Sequence, residues 1–394
     1  MQNDISLPPR GPAPEELPVD TAVAPPSQTT SVPAKPPITK LLTAHRGWSG
    51  RKKLLVGGAV LIVLAGTASA LLWWKTGSGP ISTFSHKNTT KPAEPILSPL
   101  TGVEVPAELA KRPVTAIMVE NSLAARPQSG LRSAGIVFEA IAEGGITRFL
   151  VLFQESDPKY VGPVRSLRPY YIDWAVPFDA GIAHVGGSPQ ALKQIRKKGM
   201  KDLDQFFNPG SYWRVSSRSS PHNVYTSFDK LDKLNKSKGF KTSNFTSWPR
   251  KKDAKIATPT ASTIDFSISS ALYNVRYSYD AKSNSYYRRM GGEKHTATIK
   301  ERDLKPKQLH PKVIIALVMD YGLASDGHHS TYDTAGGGKA YIFQDGGVTV
   351  GVWKKKSRES QFRFLTTENQ PISLNAGQAW VTIVGDKRKI SYKP

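Results

Sequence analysis

Three observations predict an α/β N-terminal ectodomain and a mostly-β C-terminal ectodomain, preceded by a disordered tail and one transmembrane helix. Residues 54–74 are apolar or small and carry no charge. Between 99 and 235, apolar runs of strand length interleave with stretches at helical spacing, the pattern of an α/β layer structure. From 264 onward, apolar residues alternate with polar ones at the period of strands.

The first 50 residues hold ten prolines within the first 40 and show no apolar period. Such a chain buries too little surface to offset its conformational entropy, so a disordered, proline-rich cytoplasmic tail is expected. LLVGGAVLIVLAGTASALLWW follows at 54–74 and matches the ~20 apolar residues that cross a bilayer core. Arg46, Arg51, Lys52 and Lys53 precede it, and Trp73 and Trp74 close it. The positive-inside rule puts the N-terminus in the cytoplasm and both later domains outside, as in a single-pass protein of the cell membrane. A cleaved signal peptide is the rival reading, with Ala68-Ser69-Ala70 as the processing site. The run exceeds the usual ~7–15-residue apolar core of such peptides. Residues 75–98, rich in Gly, Ser, Thr and Pro, read as an extracellular linker.

The α/β domain spans 99–235. VTAIMVEN, GIVFEAIA, RFLVLFQ and AGIAHVGG read as buried strands. RSLRPYYIDWAVPF reads as a helix with Ser166 as N-cap and Pro169 in its first turn. SPQALKQIRKK reads as a second helix, with Ser188 as N-cap and Pro189 at the first position. Residues 236–263 are polar and basic and read as a linker or surface excursion. In the β-rich domain, 264–394, NVRYSYD and SYYRRMGG flank a four-residue turn, and two strands meet at Asp345-Gly346-Gly347.

Charge narrows the function. The net charge is +23; the first 74 residues hold seven basic and four acidic side chains, which leaves +20 on the outer part. A charge of that size calls for an anionic neighbour. Nucleic acid is rejected because the domains lie outside the membrane, and the Tyr/Arg alternation at 273–290 is what a half-buried hairpin requires. There is no cysteine, which excludes disulfides, thiolate metal sites and lipid attachment through sulfur. Asp326, His328, His329 and Asp333 match no common metal spacing, so no metal and no cofactor is expected. No nucleophile elbow, zinc-protease helix or phosphate loop is present.

The candidate ligand site starts from GPVRSLRPYY at 162–171. Arg165 and Arg168 sit where the helix dipole is positive, an arrangement unfavourable by roughly 0.3–1 kcal/mol. Either Glu139 or Glu143 offsets them, or an external anion does. Glu139 and Glu143 are four residues apart and are expected on one face of a strand. Arg148 follows Gly144-Gly145. His184 and Ser188 sit where a strand gives way to a helix, a common position for sites in open α/β sheets. Arg218, His222 and Asn223 lie in a polar loop rich in serine. The ligand-binding set is therefore Glu139, Glu143, Arg148, Arg165, Arg168, His184, Ser188, Arg218, His222 and Asn223. Glu143, His184 and His222 are the candidates for any proton transfer.

PLTGVEV (99–105), RPQSGLRSAGIVFEAIAEGGITRFL (126–150), VGPVRSLRPYY (161–171), HVGGSPQAL (184–192) and SSRSSPHNVYTS (216–227) resemble the first half of the YerB-like bacterial envelope proteins, the domain of unknown function 3048. GGGKAYIFQDGGVTVGVWKKKSR (336–358) and NAGQAW (375–380) resemble its C-terminal half. The resemblance implies an extracytoplasmic, membrane-attached protein, often a lipoprotein, and supplies no reaction. With no cysteine here, a spanning helix would replace the lipid. Composition and resemblance together favour a protein that binds an anionic ligand, wall polymer or envelope partner protein. The alternative is a hydrolase or transferase acting on an envelope polymer, and a purely structural adaptor is the third reading.

Overall fold

The computed structural model describes residues 94–394. The expected tail, the 54–74 segment and most of the 75–98 linker lie outside the described residues. Among the described residues no helix is long and apolar enough to cross a membrane, so the expected transmembrane helix has no counterpart there.

In chain order the principal strands of the first half are β1 (Thr115–Glu120), β2 (Ile136–Glu143), β3 (Ile146–Phe153), β4 (Gly181–His184) and β5 (Asp202–Asp204). The second half adds β6 (Thr263–Phe266), β7 (Val275–Asp280), β8 (Ser285–Met290), β9 (Glu293–Lys294), β10 (Val313–Met319), β11 (Gly336–Gln344), β12 (Gly347–Lys355), β13 (Arg363–Leu365), β14 (Ala379–Gly385) and β15 (Ile390–Lys393). The main helices are short: α1 (Pro169–Ala175), α2 (Pro189–Ile195) and α3 (Phe228–Ser237).

These elements correct the expected fold class. The described chain is mostly β, and its two halves share one ten-stranded sheet in the order β13-β12-β11-β10-β14-β2-β3-β1-β4-β5. The join is β14 against β2 in parallel register, Ala379 opposite Ile136 and Thr382 opposite Glu139. A separate α/β unit followed by a separate β unit was expected because period and run length report local structure only. Neither says which strand a run will pair with.

The central strands are buried on both faces, which is why they read as near-continuous apolar runs. On one face Phe138, Leu150, Leu152 and Ile315 pack with Tyr171 and Trp174 of α1. Residues 245–251 cross this face, where Phe245 and Trp248 pack on Phe178 and Arg250–Lys251 pair with Leu374–Asn375. On the other face Val137, Phe149, Val151 and Trp380 pack with Phe228 of α3 and with a second sheet, β9-β8-β7-β6-β15. That sheet has the expected half-buried alternation: Val275, Tyr277, Tyr286 and Met290 face inward, and Arg276, Tyr287 and Arg289 face out.

Candidate functional site

The arginines of the 162–171 stretch owe their position to backbone hydrogen bonds at the carboxyl ends of two interior strands. Arg165 N–H donates to Met118 O on β1 at 2.9 Å, and its carbonyl accepts from Val185 N–H just beyond β4 at 3.1 Å. The segment therefore lies across the carboxyl ends of β1 and β4 before entering α1. Arg168, not Ser166, is the N-cap of α1, because Pro169 fixes the first helical position and needs no partner for a missing N–H. Arg168 offers no capping side chain; it turns instead to Glu143.

Glu143 answers the charge question posed by the sequence. Its Oε1 accepts from Arg148 Nη2 at 2.7 Å, and its Oε2 from Arg168 Nη2. Burial alone would raise the Glu143 pKa; the Arg148 and Arg168 guanidiniums outweigh it and hold the carboxyl below its usual range. Arg148 also donates to Ser166 O at 2.7 Å, tying the loop down. The adjoining cluster centres on Glu120, which sequence reasoning missed. Glu120 and Arg148 are register partners on β1 and β3. Glu120 Oε1 accepts from Ser122 Oγ and faces His222 Nδ1, both at 2.9 Å, and Oε2 lies 3.4 Å from Arg165 Nε. A signal for Glu120 was present: it is the charged end of an otherwise unbroken apolar run.

Five of the predicted residues, Glu143, Arg148, Arg165, Arg168 and His222, thus fall in one row through Glu120. The row holds three guanidiniums and two carboxylates, an excess of one positive charge before His222 is counted. Arg148 and Arg168 are nearly buried and bonded, whereas Arg165 is about a quarter exposed. Among the described residues neither terminal nitrogen of Arg165 donates a hydrogen bond. A cleft of about 300 Å³ opens at the Arg168 end, with Ser188, Gln190, Asp326, His329 and Tyr332 on its walls. A second, of about 420 Å³, opens at the His222 end between Arg218, Tyr160, Lys300 and Arg302.

Of the other predicted residues, Ser188 and Arg218 line the two clefts, and Glu139, His184 and Asn223 lie outside the row. Glu139 and Glu143 do not share a face, because the β2–β3 ladder shifts register between Ile141 and Glu143. Glu139 is instead fully buried against the second sheet, where both its oxygens accept from Arg288 Nη2 at 2.8 Å. Arg288 lies 4.4 Å from the Trp380 ring, and its Nε donates to His295 Nδ1 at 2.9 Å. Burial, then the Arg288 charge, hold His295 well below the usual histidine range, so it is neutral. His184 is fully buried between Gly186 O at 2.8 Å and Asp202 at 3.0 Å, and does not reach Glu143. Ser188 Oγ caps α2 by accepting from Ala191 N–H at 3.3 Å. Arg218 donates to the carbonyls of Ala124 and Pro127, and Asn223 accepts from Arg214 Nη1 at 2.7 Å. Asp326 accepts from the N–H groups of His328 and His329 and pairs with His329 Nδ1 at 2.7 Å, a turn. Among the described residues no group of three or more His, Cys, Asp or Glu is placed to hold a metal.

Comparison with known proteins agrees with this geometry at the level of the fold. The family model "Protein of unknown function (DUF3048) N-terminal domain" matches residues 100–241, and the corresponding C-terminal domain matches residues 263–381. The chain is 34% identical over 301 residues to "Putative lipoprotein YerB" of Bacillus subtilis (strain 168), covering 75% of this chain and 88% of that protein. The crystal structure of YerB protein from Bacillus subtilis is similar with a TM-score of 0.66 and 31% sequence identity, covering 75% of this chain and 99% of that one.

Proposed function

The chain belongs to the DUF3048 family, whose YerB relative is named a lipoprotein, and from that premise we propose an envelope-associated protein that binds an anionic group of an envelope polymer or partner protein. One observation carries the reading: in the row Glu120–Arg165–Arg148–Glu143–Arg168, only Arg165 is both partly exposed and unbonded at its terminal nitrogens. A planar guanidinium with two free donors suits carboxylate or phosphate oxygens. Its neighbours keep it in place; Glu120 touches only its Nε side.

Arg165→Ala is expected to weaken binding to purified anionic wall polymer by roughly tenfold or more, the scale of one charge-assisted hydrogen bond. The melting temperature should fall by several degrees at most, because the buried Glu120 loses its Arg165 neighbour but keeps Ser122 and His222. Unchanged affinity with unchanged melting would overturn the reading. The alternative, a hydrolase or transferase, called for Glu143 with His184 or His222, and His222 is engaged with Glu120 at 2.9 Å. His184 is enclosed elsewhere, and Glu143 is held ionised between two arginines, which makes it a poor proton donor near neutrality.

A further inference from the structure

Beyond β5, the edge strand next to β4, Phe206 and Phe207 are adjacent and about two-thirds exposed (67% and 66%). Neither belongs to the arginine row or lines either cleft. Adjacent exposed phenyl rings on a soluble surface are uncommon, because each leaves a large apolar area in water. The Phe207 ring is covered on one side by the Arg196 guanidinium, 5.0 Å from its centroid. The Phe206 ring lies over Gly186, where an added Cβ would meet it at 3.1 Å, so the loop is seated in a definite position. The surrounding chain is strongly basic. Between Gly181 and Phe207, where the acids are Asp202 and the fully buried Asp204 that lies 3.6 Å from Arg196, there are five cations, Lys193, Arg196, Lys197, Lys198 and Lys201. Four of them, all but Lys201, are exposed.

We infer that Phe206 and Phe207, with Arg196, Lys197 and Lys198 around them, form a contact site for an anionic lipid surface. The shape favours lipid over a polymer or a peptide. The two rings stand on a loop and line neither of the two clefts described above. A bilayer interface needs no cleft: phenyl groups enter the acyl boundary while the amines remain at the headgroups. The charge complementarity is to acidic headgroups, each cation near such a surface strengthening the attraction roughly fivefold. This site is independent of the arginine row, and the reading of either survives loss of the other.

The absence of cysteine makes the test direct. Full-length protein carrying Phe206→Cys, labelled with an environment-sensitive fluorophore, is reconstituted with vesicles of phosphatidylcholine alone or with phosphatidylglycerol at three parts in ten. The same label at Lys282→Cys, on an exposed turn remote in sequence, is the reference. The label at 206 should shift to the blue and gain intensity several-fold on the phosphatidylglycerol vesicles only, with the reference unchanged. Lys197→Glu with Lys198→Glu should lower the partitioning onto those vesicles by roughly thirtyfold or more. These positions are exposed, so the fold is preserved, and circular dichroism of each variant checks it. Equal emission at 206 and 282, or a response indifferent to the charge reversal, would overturn the inference. So would a response to soluble poly-glutamate with none to vesicles, which would make the occupant a polyanion.

Discussion

Arg288 is a side chain whose removal leaves a charge stranded in the interior. It is fully buried, bonded to both oxygens of an equally buried Glu139, and stacked between Tyr277 and Trp380. The pair itself need not add net stability, since desolvating two charges costs several kcal/mol. Breaking it leaves one ion buried without a partner. Arg288→Ala is therefore expected to lower the unfolding free energy by about 3–5 kcal/mol, read from urea denaturation. A loss below about 1 kcal/mol would mean water reaches Glu139 in the folded chain. This partnership was only half legible. Glu139 stood out as a carboxylate in an apolar strand, but its cation lies 149 residues further on. Period-two alternation does mark Arg288 as inward, on the same side as Tyr286 and Met290. A charge at an inward position signals a buried partner; nothing local names it.

Turns and bulges divide the elements into those a sequence can announce and those it cannot. Asp345-Gly346 was readable as a hairpin turn, and both residues have positive φ (59° and 82°), joining β11 to β12 with Gln344 opposite Gly347. The bulge at Ile141/Glu143 had no such residue to mark it. Counting in twos assumed an unbroken ladder and put Glu143 on the wrong face. The Asp345 turn also anchors a loop. Its carboxylate accepts from Asn284 at 2.8 Å, Asn375 at 2.7 Å and Ala254 N–H at 3.1 Å, and pairs with Lys251. Burial would raise its pKa, but those hydrogen bonds prevail and lower it from 3.8 to about 2. A carboxyl depressed in the folded state adds stability that is fully present above its unfolded value and is lost as pH falls through the folded one. Between pH 4 and 2 the wild type should thus lose about 2 kcal/mol through this group, a loss that Asp345→Asn should not show. Urea midpoints measured across that interval decide it. Parallel curves for the two proteins would assign the acid limb to other carboxylates, with Glu143, also held low, the first to test.

At the scale of the whole molecule, the decisive feature is that the chain's penultimate strand completes a sheet begun near its start. All seven residues of β14 are buried, and the strand lies between β10 and β2. Until β14 arrives, β2 presents an unpaired apolar edge, and β10 presents another. Contacts such as Trp380 Nε1 donating to Glu139 Oε2 at 3.1 Å span 241 residues, so loop closure must be completed before they stabilise anything. The two halves are for that reason expected to unfold as one unit despite their different local character. Chain ending at residue 378 should lose structure in both halves, and residues 94–241 expressed alone should aggregate through the open edge of β2. In the intact protein, fluorescence from a tryptophan retained only at 174 should report the same urea midpoint as one retained only at 353. The two tryptophans lie in different halves, Trp174 on α1 and Trp353 on β12, and both are buried. Two separated midpoints would show that the shared sheet comes apart at the β14–β2 seam before either half melts, and that the halves are stable in their own right.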